Sequence, residues 1–145
     1  MSMVFLLDVN VLIALIDSAH LDHDRAHEWF AAEGKHAWAT CPLTENAVLR
    51  ILGHTSYPNS PGPPAMIVPI LKGLRSASGH QFWADDISMA DEAVIDSTRL
   101  LNSGQITDTY LLALAKSKQG KLASFDRRLV VDAVVNGKNH FHLIA

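Results

Sequence analysis

Apolar residues run unbroken from Val4 to Leu7 and return with helical spacing after Asp8, through to Ile16. This pattern predicts a buried strand, a sharp turn and a helix, with Asp8 at the carboxyl end of the strand. A polar joint follows, Asp17 to His20. Leu21, Ala26, Trp29, Phe30 and Ala31 then form one apolar stripe that ends at Gly34, the signature of a second helix. Lys35 to Cys41 alternates as a short strand does, and Pro42 opens a helix that Gly53 stops. The stretch from His54 to Pro64 holds four of the six prolines and reads as a loop. Helical spacing resumes from Ala65 to Ser78, with Pro69 near the true start or kinking the helix. His80 to Trp83 predicts a short edge strand, and Asp85 and Asp86 are read as turn residues. Ser88 and Asp91 have the spacing of a capping box, so a short helix is expected after them. Thr107 is the expected N-cap of a strong helix that runs to Gln119-Gly120. Lys121 to Ser124 then forms a short strand with Asp126 just beyond it. Leu129 to Val135 is a short helix or an irregular piece, and His140 to Ile144 is the final strand.

Strands alternating with helices imply an α/β fold whose sheet is built by right-handed parallel crossovers. No repeat, low-complexity tract or second domain interrupts the pattern, so residues 1–145 are expected to form one domain. Hydrophobic residues make up 48% of the chain, enough for a packed core. The single cysteine, Cys41, excludes an intrachain disulfide and makes a reducing cytoplasm the expected setting. Asp8, Asn10 and Asp17 interrupt the apolar N-terminus well short of a bilayer span, so it is read as core and no membrane association is expected. The formal charge of −3 does not advertise a nucleic-acid binder. If four acidic residues were neutralised by bound metal, the remainder would turn slightly positive, so an RNA substrate is not excluded.

Candidate chemistry lies in those acidic residues. Asp8, Glu45, Asp108 and Asp126 each fall at a strand end or a helix start, and a parallel sheet lines such positions along one edge. Each residue alone has a plain alternative: Asp8 or Asn10 as a helix cap, Glu45 as a charge complementing a helix dipole. Brought together, four carboxylates repel, and some must protonate or recruit cations. Oxygen-only ligands favour Mg²⁺, or Mn²⁺, over zinc. Such a cluster suits attack by a metal-activated water on a phosphodiester. Asn10, Thr44 and Thr107 are candidates to orient the carboxylates. His20, His23 and His27 have spacings that allow a metal face, but nothing completes the shell, and they are expected to face solvent.

The segments LLDVNVLIAL at Leu6–Leu15, TENAVLR at Thr44–Arg50, ITDTYLLALA at Ile106–Ala115 and SFDRRL at Ser124–Leu129 together resemble a PIN domain. Within that family the chain is similar to the VapC-type toxins of bacterial toxin–antitoxin pairs. The resemblance implies a three-layer α/β/α fold around a central, mainly parallel sheet of four to five strands. It implies a Mg²⁺-dependent endoribonuclease whose acidic set is Asp8, Glu45, Asp108 and Asp126, with Asn10 in support. Ser124 stands where the family more often has Thr, which keeps a hydroxyl in place. The resemblance further implies a homodimer and a small antitoxin that blocks the cleft, inserting a basic residue among the carboxylates.

RNA would require cations near the cleft. Arg50, Lys72, Arg75, Lys116, Arg127 and Arg128 are candidates for phosphate contacts, led by the two that follow Asp126. Two other readings compete. A non-catalytic scaffold that binds RNA or protein has no reason to hold four mutually repelling charges. An aspartyl-nucleophile phosphatase would use Asp8, but such enzymes want a second Asp where Asn10 stands.

Overall fold

A computed structural model of the chain describes residues 3–145; Met1 and Ser2 of the expected domain lie outside it. Five short strands form one sheet: β1 (Phe5–Leu7), β2 (Trp38–Thr40), β3 (His80–Phe82), β4 (Lys121–Ser124) and β5 (Phe141–Leu143). Their order is β3-β2-β1-β4-β5, and every neighbouring pair is parallel. Five α-helices join them: α1 (Val9–Ile16), α2 (His23–Ala32), α3 (Pro42–Leu52), α4 (Pro64–Arg75) and α5 (Ile106–Ser117).

Side chains alternate across the central strands and feed two separate cores. Phe5, Leu7, Trp38 and Ala123 point to one face, where α1, α2, α3 and α4 cover them with Leu12, Trp29, Val48 and Ile67. Leu6, Ala39 and Leu122 point to the other, beneath Leu111, Leu112 and Leu114 of α5 and beneath Trp83, Ile95 and Val134 from the connecting segments. The result is the three-layer α/β/α fold. Both faces of β1 are buried, which explains why its sequence is continuously apolar rather than alternating.

Two expectations change, and one of the two alternatives for Pro69, a place near the helix start, falls away. No helix follows Ser88, because the side chains there satisfy local turns instead. Ser88 Oγ accepts from the Ala90 amide at 3.0 Å and Asp91 Oδ1 from the Ala93 amide at 2.9 Å. Beyond those turns, Ile95 makes an isolated antiparallel bridge to Val134. Thr107 is not an N-cap, because a 3-10 turn over Ser103–Gln105 leads directly into α5 at Ile106. Pro69 lies inside α4, which begins at Pro64. The segment from Leu129 to Val135 is irregular. Among the described residues no helix is long and apolar enough to cross a membrane.

Candidate active site

The strand order carries the first clue. From β1 the chain winds outward through β2 to β3, then returns to the other flank of β1 to lay down β4 and β5. A parallel sheet whose winding reverses opens a crevice beyond the carboxyl ends of the strands on either side of the reversal. Here those strands are β1 and β4, which are followed by Asp8 and Asp126.

Asp8 caps α1 and belongs to the crevice at once. Its Oδ1 accepts from the Val9 amide at 2.7 Å, and its Oδ2 accepts from the Ser124 hydroxyl at 2.7 Å. The Ser124 oxygen in turn accepts from Asn10 Nδ2 and from the Asp126 amide, each at 3.1 Å. A serine hydroxyl has one proton and two lone pairs, so Ser124 is saturated and its proton is committed to Asp8. Asn10 Oδ1 accepts from the Phe125 amide at 3.3 Å, tying the start of α1 to the end of β4.

Asp8 is only 7% exposed, and burial pushes its carboxyl above the ordinary range. The bonds from Ser124 and Val9 act against that rise, and the charge of Asp126 adds to it. Asp108, in the first turn of α5, is pushed up to about 6, by burial first and then by Asp8 and Asp126. Among the described residues none donates a hydrogen bond to its carboxylate. Asp126 spends one oxygen on the Arg128 amide at 2.9 Å. Asp8 and Asp126 are therefore close enough to raise Asp108, and Asp126 close enough to raise Asp8, with few donors to offset the crowding.

Glu45 sits in the first turn of α3, on the flank of β1 away from β4, and it is compensated. Its Oε2 accepts from the Thr40 hydroxyl at 2.6 Å and pairs with Arg75 Nε at 3.4 Å. Thr40 also meets His80 Nε2 at 2.8 Å. Burial and the Arg75 charge hold His80 below its ordinary pKa, against a smaller opposing pull from Glu45. Arg75 lies over the Phe82 ring, 4.8 Å from its centroid.

Thr44 does not reach a carboxylate. Its hydroxyl donates to the Cys41 carbonyl and accepts from the Cys41 amide, both at 3.0 Å, and so serves the start of α3. Thr107 is exposed on the first turn of α5. Arg127 and Arg128 are exposed immediately past Asp126, whereas Arg50 lies in the last turn of α3, the end turned away from Glu45. Lys116 is engaged by the Val135 carbonyl. The histidines of α2 act as ties rather than free solvent-facing groups: His23 Nδ1 meets the Ala14 carbonyl at 2.7 Å and His27 Nε2 the Leu15 carbonyl at 2.8 Å. Thr40 and His80 escaped the sequence reading. The one available signal was that Thr40 ends an alternating strand five residues before Glu45.

Every donor at the crevice is a carboxylate, hydroxyl or amide oxygen, which suits a hard cation. Among the described residues no three His, Cys, Asp or Glu side chains are close enough together to clasp one ion. The set therefore fits Mg²⁺, which keeps several waters and takes one or two carboxylates, better than an ion needing an all-protein cage.

Comparison with known proteins bears on this arrangement. The family model described as PIN domain matches residues 5–133. Ribonuclease VapC44 of Mycobacterium tuberculosis is 40% identical over 129 residues, covering 89% of this chain and 90% of that protein. Ribonuclease VapC39 of the same organism is 37% identical over 131 residues, covering 90% and 94%. Ribonuclease VapC38 is 40% identical over 121 residues, covering 83% and 84%.

Proposed function

The chain belongs to the PIN-domain family, in its VapC-type branch, and we propose that it is a Mg²⁺-dependent endoribonuclease acting as the toxin of a toxin–antitoxin pair. The observation that carries this reading is Asp108, a half-buried carboxylate without a protein donor that Asp8 and Asp126 help push up to about 6. A site with that excess of negative charge favours a bound cation.

Asp8, Asp108 and Asp126 would hold Mg²⁺, or Mn²⁺ in its place, one or two of them directly and the remainder through the ion's waters, with Glu45 completing the acidic rim. When bound, the ion supplies a more acidic water and positive charge against the scissile phosphate. Asn10 and Ser124 keep Asp8 in one orientation, since each of their polar atoms is already committed. Asp8 offers one remaining lone pair on each oxygen, and Asp126 keeps its second oxygen free of the Arg128 amide. The buried floor of β1 and β4 limits reorganisation as charge develops. Arg127 and Arg128 supply phosphate contacts that position RNA along the rim without reading its sequence. The rim's negative charge also suits an antitoxin that blocks it with a basic side chain, and a homodimer in the cytoplasm fits the same family pattern.

Incubation of purified, antitoxin-free protein with total cellular RNA tests the reading. Discrete fragments are expected with Mg²⁺, and none with EDTA or with the Asp8→Asn variant. Fragments that persist in EDTA would refute metal dependence. Absence of cleavage by folded, metal-loaded protein would refute the enzyme.

A further inference from the structure

Three elements converge on Glu45 in a way that the acidic rim alone does not require. Edge strand β3 presents His80, β2 ends on Thr40, and α3 begins beside them with Glu45. The protons along this chain can be assigned. Thr40 is fully buried and its single proton goes to Glu45 Oε2 at 2.6 Å. The contact from His80 Nε2 to the same hydroxyl, at 2.8 Å, must then be a donation from the ring. Parallel register pairs Trp38 with His80, and the buried Trp38 indole lies 4.6 Å from the His80 ring at 60°, which holds the ring plane.

Both groups that touch Glu45 use the same atom. Thr40 Oγ1 and Arg75 Nε lie at 2.6 and 3.4 Å from Oε2, so Oε1 is left without a donor among the described residues. We infer that Thr40 and His80 are positioning residues for Glu45: the ring orders the hydroxyl, the hydroxyl holds Oε2, and Oε1 is thereby turned out as the oxygen available to a cation. The inference rests on the metal-dependent reading above and extends it to residues that touch neither substrate nor ion. Thr44, the hydroxyl adjacent to Glu45 in sequence, has no part in it.

Titration of the full chain with Mn²⁺, followed by electron paramagnetic resonance, tests the assignment, with thermal melting to confirm that each variant is folded. Thr40→Val and His80→Leu remove the donated protons and are expected to weaken Mn²⁺ binding roughly 10–100-fold, as loss of groups behind metal ligands commonly does. Thr40→Ser and His80→Gln retain a donor and are expected to stay within a few-fold of the wild type. Wild-type affinity in a folded Thr40→Val variant would overturn the inference while leaving the proposed activity standing. If the wild type itself bound no Mn²⁺, the metal-dependent reading would fall and this extension with it. A long-range ¹H–¹⁵N spectrum of the metal-free wild type supplies a readout that depends on no variant's folding. A proton on His80 Nε2 is expected, and an unprotonated Nε2 would overturn the hydrogen-bond chain.

Discussion

Helix α1 starts and ends on a buried aspartate, and the two respond to burial in opposite directions. Asp8 at its N-cap is 7% exposed and Asp17 at its C-cap 8%. Burial acts to raise both carboxyls. At Asp17 it is outweighed by the Tyr57 hydroxyl at 2.5 Å, the Ala19 amide at 3.0 Å, Asn59 Nδ2 at 3.5 Å and the nearby His20, so the carboxyl falls below its usual range. At Asp8 burial prevails over two donors, and Asp126 adds a like charge. Depth differs as well, since Asp17 is covered thinly by the proline-rich loop whereas Asp8 lies at the floor of the crevice. Tyr57, pushed up to about 12 by burial and by Asp17, stays a donor at any ordinary pH. Burial of a carboxylate is therefore no mark of function by itself. The number of donors and the sign of the neighbours separate a fastening from a reactive site.

Exchange of the two carboxylates is the sharpest test of that distinction. Asp8→Asn is expected to lower RNA cleavage by more than the roughly 10–100-fold typical of residues behind metal ligands, while thermal stability is kept because the repulsion from Asp126 is gone. Asp17→Ala should do the reverse. It strands the Tyr57 hydroxyl and is expected to lower unfolding free energy by about 1–3 kcal/mol in urea titrations, with cleavage per folded molecule unchanged. Loss of cleavage at full stability in Asp17→Ala would break the comparison.

A smaller effect lies in the pH dependence of stability. Asp17 has a folded pKa below its unfolded value of 3.8, so its contribution is present above that value and lost as pH falls through the lowered one. Asp108 runs the other way. Its folded value of about 6 exceeds its unfolded 3.8, so the folded state binds more protons between them, and stability should decline as pH rises through that window. Urea denaturation of Asp108→Asn should lack this decline, and saturating Mg²⁺ should suppress it in the wild type. The smallest expected change belongs to the surface. Replacing Arg127 and Arg128 with Ala should weaken RNA binding and reduce the logarithmic salt slope by about 1.4 if both contact phosphate on a single strand. An unchanged slope would remove them from the RNA path.

Periodicity was enough to locate the elements that build the crevice. The β1–α1 joint, the start of α3 at Pro42 and the extent of β4 follow from apolar runs and from breakers that act within a few residues. The same local logic places Asp8, Glu45, Asp108 and Asp126 at strand ends or first helical turns. It failed after Ser88, where side chains close turns on themselves, and at Thr107, where the segment before α5 continues as a 3-10 turn rather than ending on a cap.

The supporting hydroxyls show where local pattern stops being informative. Thr44 adjoins Glu45 in sequence but turns back to Cys41, whereas Thr40, five residues away, reaches the carboxylate because it closes a strand at the same sheet edge. Apolar spacing by itself determined the α/β class, the order of elements and the ends on which the acids sit, because secondary structure depends on neighbours within a turn or two. The packed sheet alone decided that β1 lies between β2 and β4, that Ser124 meets Asp8 across 116 positions, and that the carboxyl of Asp17 is lowered while that of Asp8 is raised. Hydrogen bonding and charge repulsion act through a few ångströms of space, and only the folded chain brings those groups together.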